Sequence, residues 1–180
     1  MNLIDFFDKS ALVYPDRTAL VFDARPWSYR EVSDLATRIG NGLRAAGVVR
    51  ETKCAVISRN DPVAFVSMLG ILKAQGTWVP LNPANAEDQN LYMVEFFDVE
   101  VLFFLKDAEP LARLVKERLP QVKHFFCIDD QSDLGRSVLE WAAEQSGEPV
   151  VLAWEPDAVC WLRGTGGTTG RPKGVMNTHR

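Results

Sequence analysis

The sequence has few of the residues that build metal centres and disulfide frameworks. Its 180 residues include three cysteines and two histidines. These residues are far apart and lack the close spacing of a metal site. An odd number of scattered cysteines indicates free thiols in a reducing compartment rather than disulfides. Asp129 and Asp130 are adjacent, so in an extended chain their carboxylates would point to opposite faces, and we predict a solvated turn there.

The sequence also lacks a basic excess and a long apolar run, and its first residues do not resemble a secretory leader. Its net charge is −4 and its pI is about 5.2, which makes nucleic acid a poor candidate partner. No stretch approaches the roughly 18 apolar residues of a transmembrane helix. The N-terminus has no basic region followed by an apolar one, so it does not read as a signal peptide. We therefore expect no transmembrane segment and a cytoplasmic location.

Apolar residues are plentiful, at 47% of the chain, which is enough for a packed core. Apolar strands alternate with amphipathic helices, and the run from Val101 to Leu105 is almost continuously hydrophobic. Such runs are typical of parallel strands that are covered on both faces. The pattern predicts an α/β fold with layered, mostly parallel sheets flanked by helices. No repeat, low-complexity tract or linker divides the chain.

Element boundaries follow from capping and turn residues. A capping box of Ser28 and Glu31 predicts the start of one helix, and Asp61 with Pro62 predicts the start of another. Predicted strands are 18–22, 27–29, 53–58, 78–81, 99–105, 123–128 and 158–162. Further helices are predicted near the N-terminus, over 87–97, from 107 or 108 to 119, and over 137–145. We expect the last strand to deliver a glycine-rich loop, with a helix after it.

That loop, from Gly164 to Lys173, is the most informative stretch of the chain. It holds four glycines, three threonines and one lysine. Glycines let backbone N–H groups converge on one point, and threonine hydroxyls add donors. Lys173 adds a positive charge. The composition predicts a phosphate-binding loop, and the alternative is a Gly/Thr-rich surface loop beside a solvated lysine.

Two common nucleotide-binding motifs do not fit the loop. A Walker A motif places its lysine directly after the last glycine, whereas Arg171 and Pro172 intervene here. Proline also has no N–H to offer a phosphate. A Rossmann fingerprint would need glycine at position 169, which is Thr169. A P-loop kinase or NTPase is therefore disfavoured.

The loop resembles the signature of the AMP-forming, or adenylate-forming, synthetases and ligases. That superfamily includes acyl-CoA synthetases, luciferases and the adenylation domains of peptide synthetases, and its loop reads Y-T-S-G-T-T-G-x-P-K-G-V. This chain agrees over the nine residues 167–175, and Thr178 and His179 continue the family's T-H ending. It departs at Gly164 and Gly166, where the family commonly has an aromatic residue and a serine.

Two upstream segments are similar to the same family. The segment 27–32 resembles its (W/L)-(T/S)-Y-x-E-L element, and 72–83 resembles L-K-A-G-x-x-x-V-P-L-(N/D)-P. In the second segment Gln75 precedes the glycine, so a residue is inserted or the glycine is displaced. We expect Tyr29 and Leu81, within these segments, to pack in the core rather than contact a ligand.

The resemblance implies a ligase that activates a carboxylic acid with ATP as an acyl-adenylate and passes it to a thiol, often coenzyme A, as in fatty acid metabolism. It assigns Lys173 to catalysis. It assigns binding of the β and γ phosphates to Thr165, Gly166, Gly167, Thr168, Thr169, Gly170 and Lys173. Mg²⁺ would be a cofactor whose ligands lie mostly outside this chain, and the residues indicate no metal site of their own. We expect His179 to be a structural hydrogen-bonding residue.

The resemblance covers only the N-terminal portion of a family member. Residues 1–180 are expected to be the start of an AMP-binding domain that ends soon after the loop, so the chain alone would not assemble an active site. Trp161 and Val175 would then lack packing partners and be exposed. Two alternatives remain: a non-catalytic truncated relative, and an amino-acid-activating adenylation domain of a peptide synthetase.

Overall fold

The computed structural model describes residues 1–153, 155–165 and 173–180. These residues form nine strands and six α-helices, with a single 3₁₀ turn over Lys106–Ala108. The strands are β1 Thr18–Phe22, β2 Arg25–Ser28, β3 Lys53–Ile57, β4 Thr77–Leu81, β5 Val99–Phe104, β6 His124–Cys127, β7 Arg136–Ser137, β8 Val159–Gly164 and β9 Gly174–Thr178. The helices are α1 Leu3–Val13, α2 Tyr29–Ala45, α3 Pro62–Lys73, α4 Glu87–Phe96, α5 Glu109–Arg118 and α6 Val138–Ala143.

Seven of the strands form one sheet in the order β7-β6-β5-β3-β4-β8-β9. Every neighbouring pair is parallel except β8 and β9, which are antiparallel. Strands β1 and β2 form a separate antiparallel hairpin. The predicted α/β class with a mostly parallel sheet is therefore confirmed.

Both faces of the sheet are buried, and the side-chain alternation of each strand decides which face a residue serves. On β3, Cys54 and Val56 belong to the apolar cluster that includes residues of α1, α2, α3 and α6. Ala55 and Ile57 belong to the opposite cluster, which includes residues of α4 and α5. This two-sided burial explains the continuous apolar runs, because neither face of the strand needs a polar residue.

Helices α2 and α3 are the most closely packed pair. A Cβ added at Gly70 would lie 2.4 Å from Ile39 Cγ2, and one added at Gly40 would lie 2.8 Å from Lys73 Cβ. The glycines therefore allow a close backbone approach. Helix α2 begins at the predicted capping box, in which the Glu31 N–H donates to Ser28 Oγ at 3.2 Å.

The carboxyl end of α3 explains the irregular motif at Gln75. Gln75 has φ 62°, in the left-handed region that favours glycine. Glycine stands at that position in the family pattern, so here the glycine is displaced by one residue, to Gly76. A Cβ on Gly76 would be 3.2 Å from the Thr52 carbonyl oxygen, which suits glycine there too.

Over the described residues 173–180 the chain does not form the helix expected after the glycine-rich loop, and the prediction was wrong there. Residues Gly174–Thr178 form strand β9, which hydrogen-bonds antiparallel to β8. Valine and methionine within it suit an extended edge strand, and pairing with β8 satisfies its backbone groups. Val175 is 37% exposed, as expected, whereas Trp161 is half-buried and stacks on Trp78 with ring centroids 5.4 Å apart.

Among the residues that the structure describes, no helix is both long and apolar enough to cross a bilayer.

Candidate phosphate-binding site

The β8–β9 hairpin brings the two ends of the glycine-rich loop together. The Thr165 N–H donates to the Lys173 carbonyl oxygen at 2.8 Å, and Thr165 Oγ1 donates to the same oxygen at 3.3 Å. Gly164 pairs with Gly174 immediately beneath them. Thr165 and Lys173 thus form the base of a hairpin, which we call the loop base. The other predicted phosphate-binding residues lie outside the described residues: Gly166, Gly167, Thr168, Thr169 and Gly170.

The loop base stands at the carboxyl end of β8, next to the carboxyl ends of β4 and β3. In parallel α/β sheets this edge is the usual place for ligands. A cavity of about 440 Å³ opens here. Its described lining residues are Ser58, Pro80, Leu81, Asn82, Asn85, Gln89, Met93, Arg163, Gly164 and Thr165. One wall of this cavity is therefore the end of β8 with Thr165 of the loop base, and another is the segment that follows β4.

The described lining of the cavity suits an anion better than a cation. It contains three carboxamides, two hydroxyls and the Arg163 guanidinium, and no aspartate or glutamate. Arg163 lies with its guanidinium carbon 5.3 Å from the Trp161 ring centroid, which fixes the cation at this edge. The Lys173 side chain is exposed and forms no ion pair with another described residue.

The segment after β4 is held by amide hydrogen bonds that sequence reasoning missed. Asn90, only 1% exposed, donates from Nδ2 to the Asn82 carbonyl oxygen at 2.9 Å. Asn85 Nδ2 donates to Asn90 Oδ1 at 3.3 Å, and Asn82 Oδ1 accepts from the Ala84 N–H at 2.9 Å. The signal in the sequence was three asparagines within nine residues, directly after the V-P-L strand.

His179 has the structural role that was predicted. Its Nδ1 accepts a hydrogen bond from the Leu3 N–H at 3.1 Å, which satisfies a free donor in the first turn of α1. Partial burial lowers the pKa of His179, while the Asp5 carboxylate opposes that shift and the N-terminal ammonium adds to it. The imidazole is thus a tie between α1 and the residue after β9, and it is not among the cavity's lining residues.

A charged network lies at the carboxyl ends of β5 and β6, apart from the cavity. Lys106, Arg113 and Ser132 all donate to Glu109, and these contacts lower the pKa of Glu109 to about 2. The exposed Asp129 carboxylate accepts from the Lys106 N–H at 2.7 Å, which accounts for this aspartate as part of a turn.

Comparison with known proteins shows the family to which this chain belongs. The family model described as "AMP-binding enzyme" matches residues 7–180. This chain belongs to that family. The match includes the glycine-rich segment between Thr165 and Lys173, whose sequence resembles the signature loop of adenylate-forming enzymes.

The curated relatives are much larger proteins, and this chain matches a small segment of each. The chain is 30% identical over 179 residues to tyrocidine synthase 3 of Brevibacillus parabrevis, covering 99% of this chain and 3% of that protein. It is 33% identical over 175 residues to the AMB antimetabolite synthetase AmbB of Pseudomonas aeruginosa, covering 96% of this chain and 13% of that protein. The chain thus spans a small fraction of the length of these relatives.

Two solved structures share the fold of this chain. The chain superimposes on the anthranilate CoA ligase AuaEII, solved with anthranoyl-AMP, with a TM-score of 0.93 and 24% identity, covering 99% of this chain and 35% of that one. The peptide synthetase FmoA3 gives a TM-score of 0.77 at 22% identity, covering 100% of this chain and 17% of that one. At these identities the likeness concerns the fold alone.

Proposed function

We propose that this chain supplies the triphosphate-binding part of an ATP-dependent enzyme that activates a carboxylic acid. The observation that carries the proposal is the loop base: Thr165 and Lys173 meet at the two ends of the glycine-rich loop, beside a cavity whose described lining has no carboxylate. We further propose that residues 1–180 are the N-terminal portion of an AMP-binding domain. The match over residues 7–180 supports that assignment.

The chemistry is a transfer of the adenylyl group. A carboxylate oxygen of the acid forms a bond to the α-phosphorus of ATP, and the bond from that phosphorus to the bridging oxygen breaks. Pyrophosphate leaves with the electron pair. In a second step a thiol sulfur attacks the acyl carbon, loses its proton to solvent and releases AMP.

Within this reaction the loop residues stabilise negative charge. Lys173 is proposed to place its ammonium on the β and γ phosphates as charge moves onto pyrophosphate, and is the catalytic residue of the chain. Thr165 is proposed to bind phosphate from the loop base. The same role is proposed for Gly166, Gly167, Thr168, Thr169 and Gly170.

The described residues around the cavity do not form a complete Mg²⁺ site. Magnesium at phosphate sites takes one or two carboxylates besides the substrate oxygens. The described lining of the cavity has none, and no group of three or more potential metal-ligating side chains occurs among the described residues. These residues do not by themselves fit a magnesium site, and no step above relies on one.

The acceptor and the acid define two candidate functions. The first is an acyl-CoA ligase, with coenzyme A as the thiol acceptor, and the fold shared with a CoA ligase supports it. The second is an amino-acid-activating adenylation domain of a peptide synthetase. Two relatives at 31% and 30% identity are nonribosomal peptide synthetases by name, which specifically favours this second candidate.

Pyrophosphate exchange tests the proposal and separates the candidates. The full-length protein, purified from its own cells, is assayed for carboxylate-dependent exchange of pyrophosphate into ATP with amino acids, fatty acids and aromatic acids. Exchange driven by fatty or aromatic acids, followed by thioester formation on coenzyme A, supports the first candidate. Exchange driven by amino acids without coenzyme A thioester supports the second. A protein that binds no ATP and catalyses no exchange contradicts the proposal and favours a non-catalytic relative.

A matched lysine variant tests the role of the loop. Lys173→Ala should lower the exchange rate about 100-fold, because one preorganised cationic contact to the leaving group is lost. Lys9→Ala is the control, since Lys9 is also an exposed lysine but lies on α1. Equal rates for the two variants would remove Lys173 from the mechanism.

A further inference from the structure

We infer that helix α4 is the positioning element of the cavity, and that it sets the separation between the loop base and the segment after β4. The inference rests on the proposed function, because the ligand used to test it is ATP. Three residues of α4 and its end carry the argument: Asn90, Met93 and Phe97. Their spacing of three and four residues places them along one face of the helix.

The first contact holds one wall of the cavity. Asn90 is 1% exposed, and its Nδ2 donates to the Asn82 carbonyl oxygen at 2.9 Å. Its Oδ1 accepts from Asn85 Nδ2 at 3.3 Å. Both asparagines that Asn90 binds line the cavity. Losing this buried carboxamide would leave polar groups without partners, so the wall would move rather than keep its shape.

The second contact holds the opposite wall. Phe97 caps the carboxyl end of α4 and is 6% exposed. A Cβ added at Gly174 would lie 2.6 Å from Phe97 Cε1, so the ring packs directly against the backbone of β9. Gly174 directly follows Lys173 of the loop base. Gly174 also pairs with Gly164 of β8. Phe97 therefore supports the strand pair on which the loop base stands.

The third residue connects the two walls. Met93, 5% exposed, lies between Asn90 and Phe97 on the helix and itself lines the cavity. One rigid helix thus contacts both walls and forms the floor between them. A displacement of about 1 Å in a binding site can cost a large factor in rate or affinity, so the spacing that α4 imposes matters for binding.

The triphosphate of ATP is the ligand that this spacing serves. The cavity offers carboxamide N–H donors, hydroxyls and Arg163, and no described carboxylate that would repel phosphate. Gln89, on the first turns of α4, is one of these donors and moves with the helix. We expect α4 to act on binding and to leave the chemical step nearly unchanged, because its proposed part is to hold the two walls at a fixed separation.

The test compares α4 variants with a control of similar cost in stability. Asn90→Ala and Phe97→Leu are prepared in the full-length protein, together with Val115→Ala, which truncates a fully buried residue of α5 in the same apolar cluster. ATP affinity is measured by calorimetry, kcat and KM by pyrophosphate exchange, and stability by thermal unfolding. Each α4 variant should weaken ATP binding about tenfold and raise its KM equally, with kcat nearly unchanged.

The control decides between positioning and general destabilisation. Val115→Ala should bind ATP like the wild type although its unfolding temperature falls. If the α4 variants bind ATP as well as Val115→Ala does, the inference is wrong while the proposed function stands. If the wild type itself binds no ATP, the proposed function fails, and this inference fails with it.

Discussion

The centre of the sheet and its β8–β9 edge are built for different tasks. Residues Cys54, Ala55, Val56 and Ile57 of β3 are at most 7% exposed, and helices cover both of their faces. On β9, by contrast, Met176 is 70% exposed, and the strand has a partner on one side alone within the described sheet. The comparison shows that Thr165 and Lys173, the base of the proposed phosphate loop, lie at the accessible edge of a sheet whose centre is fully covered.

The largest effect should come from a substitution that forces helices α2 and α3 apart. Gly70→Ala would put a Cβ 2.4 Å from Ile39 Cγ2 and 3.2 Å from the Ala36 carbonyl oxygen, so the helices must separate. We expect a loss of about 3 kcal/mol in the free energy of unfolding, measured by urea denaturation. Gly147→Ala is the control, because there the nearest atom is the flexible Arg38 guanidinium at 3.3 Å. Similar stabilities for both variants would contradict the close packing.

Substitutions at the β8–β9 edge should change ATP affinity more than they change the free energy of unfolding. Gly174→Ala would bring a Cβ against the Phe97 ring and displace the loop base. We expect ATP affinity to fall about tenfold, or about 1.4 kcal/mol, by calorimetry. Phe97→Leu combined with Gly174→Ala should bind ATP more tightly than Gly174→Ala alone, because the smaller side chain makes room for the added Cβ. A double variant that is weaker still would show that the two residues do not act through this contact.

The protein should become more stable when the backbone strain at Gln75 is relieved. Gln75 has φ 62°, which costs a non-glycine residue about 1 kcal/mol. Gln75→Gly should therefore raise the free energy of unfolding by about that amount, measured by urea denaturation, and leave ATP affinity unchanged. Gln75→Ala keeps the strain but removes the 3.4 Å contact from Nε2 to the Ala153 carbonyl oxygen. If the alanine variant is stabilised as much as the glycine variant, backbone strain is not the cause.

The smallest effect concerns pH and the tie between α1 and His179. The folded pKa of His179 is lowered from 6.5, so its contribution to stability is complete above that pH and is lost as the pH falls through the folded pKa. Protonated imidazole cannot accept the Leu3 N–H. His179→Asn, which keeps an acceptor that does not titrate, should flatten this part of the stability–pH curve measured by thermal unfolding. Superimposable curves for the two proteins would contradict the assignment.

Local signals in the sequence account for most of the helices and central strands. Asp61 with Pro62, and Ser28 with Glu31, start helices where they were predicted to, because capping depends on residues close together in the chain. Apolar runs likewise predicted the central strands, since both faces of a parallel sheet are buried. These features need no knowledge of distant parts of the chain.

The edge and the cavity walls could not be predicted in the same way. Strand β9 forms because β8 offers unpaired backbone groups, which is a non-local cause that residues 174–178 do not reveal by themselves. We propose Asn90 as a positioning residue because the structure buries it against the segment after β4, which the sequence alone does not show. The spacing of Asn82, Asn85 and Asn90 was a signal in the sequence, but that spacing does not by itself show which of the three side chains is buried.

Amide hydrogen exchange with and without ATP tests the central claim most directly. The full-length protein is labelled in both states, and peptides covering the β8–β9 hairpin, residues 159–178, are compared with peptides from β3. The account predicts that ATP slows exchange in the hairpin, and in the segment after β4, while β3 is unchanged because it is already protected. Protection confined to other parts of the chain, with ATP bound, would contradict the placement of the phosphate site on this edge.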